Sequence, residues 1–200
     1  MRKIAHRGIK EYENKMERFE EALEKSDGIE IDVRYNTKRE LVLCHDRERR
    51  NEEDNDKLEK IRSCRFEKGK KVIIDIKAFG ITEAKEIARD VHECLKEVAT
   101  KDWKLCSFNE YCVFELTELA KRAKYRVGVI ATGLSIGMYT HLDIDFVSLD
   151  YNVITKEVVE MFHANGIKVY SWTVNDIEMQ HALEYEYKVD YIIEDLKKFI

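Results

Sequence analysis

Apolar residues along this 200-residue chain follow two rhythms, and the rhythms take turns. Alternation at every second position marks strands, and spacing of three or four marks helices. Lys3 to His6 reads as a strand. Met16, Phe19, Ala22 and Leu23 predict a helix over Lys15 to Lys25, with Asn14 as its N-cap. Ile29, Ile31 and Val33 make one face of the next strand, with Glu30, Asp32 and Arg34 on the other. A polar turn, Asn36 to Arg39, leads into a second arm, Leu41 to His45. Further strands are predicted at Lys71 to Lys77, Leu105 to Phe108, Arg126 to Ile130, Phe146 to Leu149, Lys168 to Val174 and Val189 to Ile193. Helices are predicted at Thr82 to Val98, Glu110 to Arg122, Thr155 to Asn165 and Asp176 to Tyr187, with Thr82 an N-cap and Gly166 a C-cap.

Strands and helices in alternation imply a parallel α/β fold. Eight of them, with the Leu41 to His45 arm as an extra, predict one compact TIM (β/α)8 barrel over residues 1–200. Helices after the second, fifth and eighth strands would be short or missing; Ala131 to Leu142 carries only a weak helical signal. Arg47 to Lys60 is almost wholly charged and reads as a solvated loop ending in a short helix. Leu196 to Ile200 reads as a short amphipathic tail.

Composition narrows the class. The formal net charge of −5 offers no global basic field for nucleic acid or an anionic membrane. No apolar run reaches transmembrane length and no signal-peptide core follows Met1, so stable membrane insertion is not expected. The five cysteines include no CxxC, which fits free thiols and a cytoplasmic location. They read as small apolar residues, and alternation points Cys44 away from His45.

The charges inside predicted strands carry the chemistry. Glu30 and Asp32 lie two residues apart on one face, where they would repel and lose hydration. A divalent cation, Mg²⁺ or Ca²⁺, resolves that conflict; a solvated outer face of an edge strand is the bland alternative. Asp75 and Lys77 share a face of their own strand, and His6 and Arg7 end the first one before Gly8. In a TIM barrel, reactive groups sit at the C-terminal ends of strands, and these residues would converge there. Imidazoles at His6 and His45 supply an acid and a base near neutral pH, and a guanidinium grips phosphate.

IAHRG at 4–8, Glu13-Asn14, IEIDV at 29–33, His45-Asp46, IDIK at 74–77, Ser107-Phe108 and WTVN at 172–175 together resemble the glycerophosphodiester phosphodiesterase (GDPD) family. The resemblance spans nearly the whole chain. It implies a phospholipase C-like barrel that hydrolyses a glycerophosphodiester to glycerol 3-phosphate and an alcohol. It implies Glu30, Asp32 and Asp75 as ligands of a divalent ion, His6 and His45 as catalytic residues, and Arg7 and Lys77 as phosphate-binding residues. The family usually carries glutamate where Asp75 stands, one methylene longer; a water-bridged Asp75 would lean toward Mg²⁺.

Glu13 matches a family glutamate and reads equally as a group orienting His6 or the ion shell, or as a helix-start acid. Trp172 reads as a surface for the substrate's alcohol part or as a barrel-lining aromatic. Asp46, Ser107, Phe108 and Asn175 read as structural. The helical histidines, among charged neighbours, are expected to face solvent. Two other functions fit the same residues. One is a phospholipase D-like enzyme of the superfamily acting on lysophospholipid or sphingolipid head groups, where an Asp-x-Lys also occurs. The other is a non-catalytic barrel that binds a phosphorylated ligand, which would need no acid–base pair.

Overall fold

Parity along each strand decides which residues fill the barrel and which meet the helices. The molecule is known from a computed structural model, which describes residues 2–64 and 66–197. Nine strands form among the described residues: β1 (Lys3–Ile9), β2 (Gly28–Tyr35), β3 (Leu41–Leu43), β4 (Lys71–Ile76), β5 (Trp103–Ser107), β6 (Arg126–Ala131), β7 (Phe146–Asp150), β8 (Lys168–Trp172) and β9 (Tyr191–Leu196). All but β3 are parallel, and the sheet closes because β1 pairs with both β2 and β9. This is a (β/α)8 barrel, with β3 added antiparallel to β2.

The outward set, including Ala5, Ile29, Ile31, Val33, Val72, Ile74, Leu105, Val127, Val147 and Val169, packs against the helices in one large core. The inward set makes a second, smaller core of Ile4, Ile73, Cys106, Ile130, Phe146, Tyr170, Tyr191 and Ile193. It plugs the barrel at mid-height and separates two mouths. Gly128 is part of that plug: a Cβ there would lie 2.5 Å from the Phe146 ring. Parity sends polar residues of the same strands to the mouths.

The helices are α1 (Phe19–Lys25), α2 (Gly80–Leu95), α3 (Glu110–Ala120), α4 (Ile136–Tyr139), α5 (Lys156–Ala164) and α6 (Ile177–His181), the last running into a π turn at Ala182–Glu186. Between β2 and β4 the described residues contain β3 and two 3₁₀ turns, Glu48–Asn51 and Leu58–Ser63, but no α-helix. Leu58 and Ile61 are fully buried and anchor the end of the otherwise charged connection.

Several local expectations are corrected. Asn14 caps nothing: its φ is +61°, and its side chain turns inward to Asp32. The chain instead enters α1 through a 3₁₀ turn, Met16–Arg18. Helix α2 starts two residues before Thr82, at Gly80, and the Glu83 carboxylate accepts the Phe79 N–H. His92 is mostly buried and bonds the Tyr125 hydroxyl at 2.8 Å, although it lies on a helix among charges. Strand β5 begins at Trp103, whose ring meets Phe66 edge-on, and so carries Lys104 inside the barrel. Strand β9 continues through Leu196, so the predicted tail begins as strand; its last three residues, 198–200, lie outside the described residues.

Candidate active site

At the C-terminal mouth, parity brings in Glu30 and Asp32 from β2, Asp75 from β4, and Lys77 just beyond it. Asp32 and Asp75 are register partners on neighbouring strands. One oxygen from each of Glu30, Asp32 and Asp75 lies within 4.8 Å of the others. All three residues are buried, Asp32 to 1% exposure.

His6 follows the same parity on β1, but Arg7 should point the other way. Two successive left-handed residues, Arg7 (φ +55°) and Gly8 (φ +81°), break the alternation. Arg7 therefore lines the same cavity as His6. Its backbone N–H donates to Glu30 Oε2 at 3.1 Å, its Nη1 to Glu13 Oε2 at 3.0 Å, and its Nε pairs with Asp32 Oδ2 at 3.0 Å. Glu13 thus holds Arg7, which neither reading of Glu13 had included. Asn14 accepts the Asp32 N–H and donates to Asp32 Oδ2, both at 2.9 Å.

Each mouth histidine leans on an aspartate. His6 Nδ1 is 2.8 Å from Asp195 Oδ1, and His45 Nδ1 is 2.7 Å from Asp46 Oδ1. A carboxylate on Nδ1 fixes the ring and leaves Nε2 as the nitrogen it does not engage. Asp195 is itself held by Lys10 Nζ at 2.7 Å and by Asn175 Nδ2 at 2.9 Å. Asp195 carried no motif in the sequence. The signal available was a lone carboxylate in step with Tyr191 and Ile193. Asp46 and Asn175, read as structural, act as supports for the two imidazoles.

The charges shift one another in predictable directions. Burial, reinforced by Asp32, pushes Glu30 up; burial also raises Asp75. Burial works the same way on Asp32, but Lys77, Arg7 and the Asn14 bond outweigh it and hold Asp32 below the usual carboxylate range. Burial opposes the positive charge on Lys77, yet Asp75 and Asp32 raise it. His6 follows suit: burial lowers it, and the Asp195 bond and Glu30 more than compensate.

Lys77 Nζ bridges Asp32, at 3.0 Å, and Asp75. Asp75 Oδ1 is left buried without a hydrogen-bond partner. Three buried carboxylates, one with an orphaned oxygen, form an all-oxygen donor set that suits a hard divalent cation.

The cavity over these groups measures about 130 Å³. Ile73, Cys106, Ile130 and Ile193 floor it. Trp172 and Phe108 form one wall, edge to face with centroids 5.6 Å apart. Trp172 Nε1 is spent on the Ser148 carbonyl at 3.0 Å, so its ring and not its N–H is offered to the cavity. Phe108, read as structural, is 45% exposed on the same wall.

Fold and mouth together define a barrel with an acid cluster flanked by two Asp-supported histidines and two phosphate-competent cations. The family model described as "Glycerophosphoryl diester phosphodiesterase family" matches residues 58–196, and the chain belongs to that family of enzymes. The matched stretch contains Asp75, Lys77, Trp172 and Asp195; His6, Arg7, Glu30, Asp32 and His45 precede it. No curated protein matches the chain significantly. Among solved structures, a phosphodiesterase from Oleispira antarctica, in complex with the product sn-glycerol-3-phosphate, is 20% identical with a TM-score of 0.82. The alignment covers 98% of this chain and 93% of that one. A glycerophosphodiester phosphodiesterase from Parabacteroides distasonis is 21% identical with a TM-score of 0.83, over 97% and 92% of the two chains. One from Thermotoga maritima is 22% identical with a TM-score of 0.75, over 96% and 93%. At these identities the likeness establishes the shared barrel.

Proposed function

We propose that this enzyme hydrolyses glycerophosphodiesters to glycerol 3-phosphate and an alcohol, with a divalent ion held by Glu30, Asp32 and Asp75. The observation that carries the reading is the pairing of two Asp-supported imidazoles, His6 and His45, across one buried carboxylate cluster. The glycerol 3-phosphate bound to the Oleispira antarctica protein supports the substrate class.

Arg7 and Lys77 line the cavity and would bind the substrate's phosphoryl oxygens, stabilising charge as it builds in the transition state. His6 and His45 would exchange protons with the nucleophile and the leaving alcohol through Nε2, while Asp195 and Asp46 hold Nδ1. Trp172 and Phe108 would cover the alcohol and keep water from that side. The bound ion would supply Lewis acidity and positive charge beside the phosphate. Mg²⁺ is the favoured ion, because Asp75 is one methylene shorter than glutamate and an intervening water suits a cation that keeps its waters.

No described helix is long and apolar enough to cross a membrane. A small, water-borne diester and a cytoplasmic setting fit that, together with five free cysteines. The test is turnover of glycerophosphocholine and glycerophosphoethanolamine with and without EDTA, with glycerol 3-phosphate measured as product. Metal-restored release of glycerol 3-phosphate is the expected result. Full turnover in EDTA would overturn the metal reading, and no turnover of any diester would leave the phospho-ligand-binding barrel.

A further inference from the structure

The parity that fills the C-terminal mouth with carboxylates fills the opposite mouth with cations. Arg2, Lys71, Lys104, Arg126 and Lys168 are each in step with inward-facing residues of their strands: Ile4, Ile73, Cys106, Gly128 and Tyr170. All five line one cavity of about 520 Å³, floored by the Phe146, Tyr170 and Tyr191 rings. Asp102 and Asp145 are the carboxylates in its lining.

Those carboxylates are already committed. Lys71 pairs with Asp102, and Arg126 Nη1 with Asp145 at 2.9 Å. Lys168 reaches Asp190 at 3.7 Å, and the Arg2 guanidinium lies 5.6 Å from the centre of the Tyr191 ring. Lys104 is different. It is register partner to Ile73 on one side and to the exposed Arg126 on the other, but unlike Arg126 it is buried. It is 7% exposed and makes no hydrogen bond or ion pair among the described residues. Tyr170, also in the lining, has a buried hydroxyl without a partner.

A buried ammonium without a counterion is costly, and so is a buried hydroxyl without a partner. Burial, aided by the Lys71 ammonium, lowers Lys104 to about 8. An anion in the cavity supplies the counterion that Lys104 lacks.

We propose that the N-terminal mouth of the barrel is a second ligand site, which takes a small phosphate-bearing anion on Lys104 and Tyr170, with Arg2, Arg126 and Lys168 at its rim. The mid-barrel plug separates it from the catalytic mouth, so its occupant is not the diester undergoing cleavage. The site does not depend on the catalytic reading.

Two probes test it on the full chain in EDTA. The first is pyrophosphate titrated by calorimetry. Saturable binding is expected, weakened at least tenfold by Lys104→Met and about threefold by Tyr170→Phe. Unchanged affinity in Lys104→Met would overturn the proposal, as would no binding by wild type at millimolar pyrophosphate. The second needs no variant. Pyridoxal 5′-phosphate, an anionic aldehyde, condenses with an amine to an imine with loss of water. Borohydride then delivers hydride to the imine carbon and leaves a stable secondary amine. Mapping the labelled peptides should place the adduct on Lys104 at least tenfold ahead of the exposed Lys101, Lys121 and Lys124, with pyrophosphate protecting it. Labelling spread evenly over these lysines, or a Lys104 adduct that pyrophosphate leaves untouched, would overturn the site.

Discussion

The two mouths of the barrel are built by the same strands and handle charge in opposite ways. At the C-terminal mouth each cation lining the cavity has an anion: Lys77 bridges two aspartates, Arg7 meets Asp32 and Glu13, and each histidine has its own aspartate. The excess there is negative and lies in three buried carboxylates. At the N-terminal mouth Lys71, Arg126 and Lys168 pair with aspartates, Arg2 lies against the Tyr191 ring, and Lys104 is left without an ion pair. The proposed occupants follow the uncompensated charge: a cation with a phosphate at one end, an anion alone at the other.

The comparison can be broken hardest at the carboxylates. Asp32→Asn removes a proposed ion ligand and releases Lys77, Arg7 and Asn14 together; turnover of glycerophosphocholine should fall by about 10³-fold, the upper scale for losing one preorganised electrostatic element. Circular dichroism should show the fold retained. His6→Ala and His45→Ala should each cost about 10²-fold in kcat, the scale of general acid–base catalysis. A near-wild-type rate in either would remove that histidine from the chemistry.

The supports should matter less. Asp195→Asn and Asp46→Asn should each cost about tenfold, as outer-shell partners do. Asp195→Asn should also lower the His6 pKa, read by NMR, because the Asp195 bond is the main influence raising it against burial. A His6 titration unmoved by that change would make Asp195 merely structural.

The smallest effect lies at the other mouth. Lys104 titrates at about 8 when folded, facing Lys71, Asp102, Lys168 and Asp145, and near its ordinary value when unfolded. Between those values the unfolded chain binds more protons, so stability rises with pH. The cost of the buried charge is therefore complete below about pH 8 and gone above the unfolded value. Lys104→Met should stabilise the protein by on the order of 1 kcal/mol at neutral pH, after allowance for solvent reaching the mouth. That advantage should shrink as pH rises toward 10.5, followed by urea denaturation of both forms. A constant difference across that range would mean that Lys104 is not a strained charge.

Much of this was legible in the sequence because parity is a local rule. Ile29-Glu30-Ile31-Asp32-Val33 states in five residues which face is core and which turns carboxylates into the barrel, and the structure keeps that division. Position along the barrel axis was legible too, since charges in step with core residues collect at strand ends. What failed was backbone conformation. Nothing in Arg7 or Asn14 announces a positive φ, so alternation sends Arg7 away from His6, and asparagine before a helix reads as a cap. Pairings across the barrel were hidden for a different reason. Asp195 meets His6 only because β9 lies beside β1, and Lys104 is isolated only because its neighbours chose other partners. Those facts belong to closure and are absent from any window of sequence.

The seam between β1 and β9 also sets a schedule. His6 is synthesised 189 residues ahead of Asp195. Closing this seam joins positions up to 191 apart, Lys3 and Glu194, and such closures come late and slowly in folding. Until it happens, β1 and β8 are open sheet edges and the first imidazole has no support. A nascent barrel is therefore expected to be inert and exposed to aggregation until β9 has been made. Chains arrested on the ribosome at successive lengths would show turnover as a single late step.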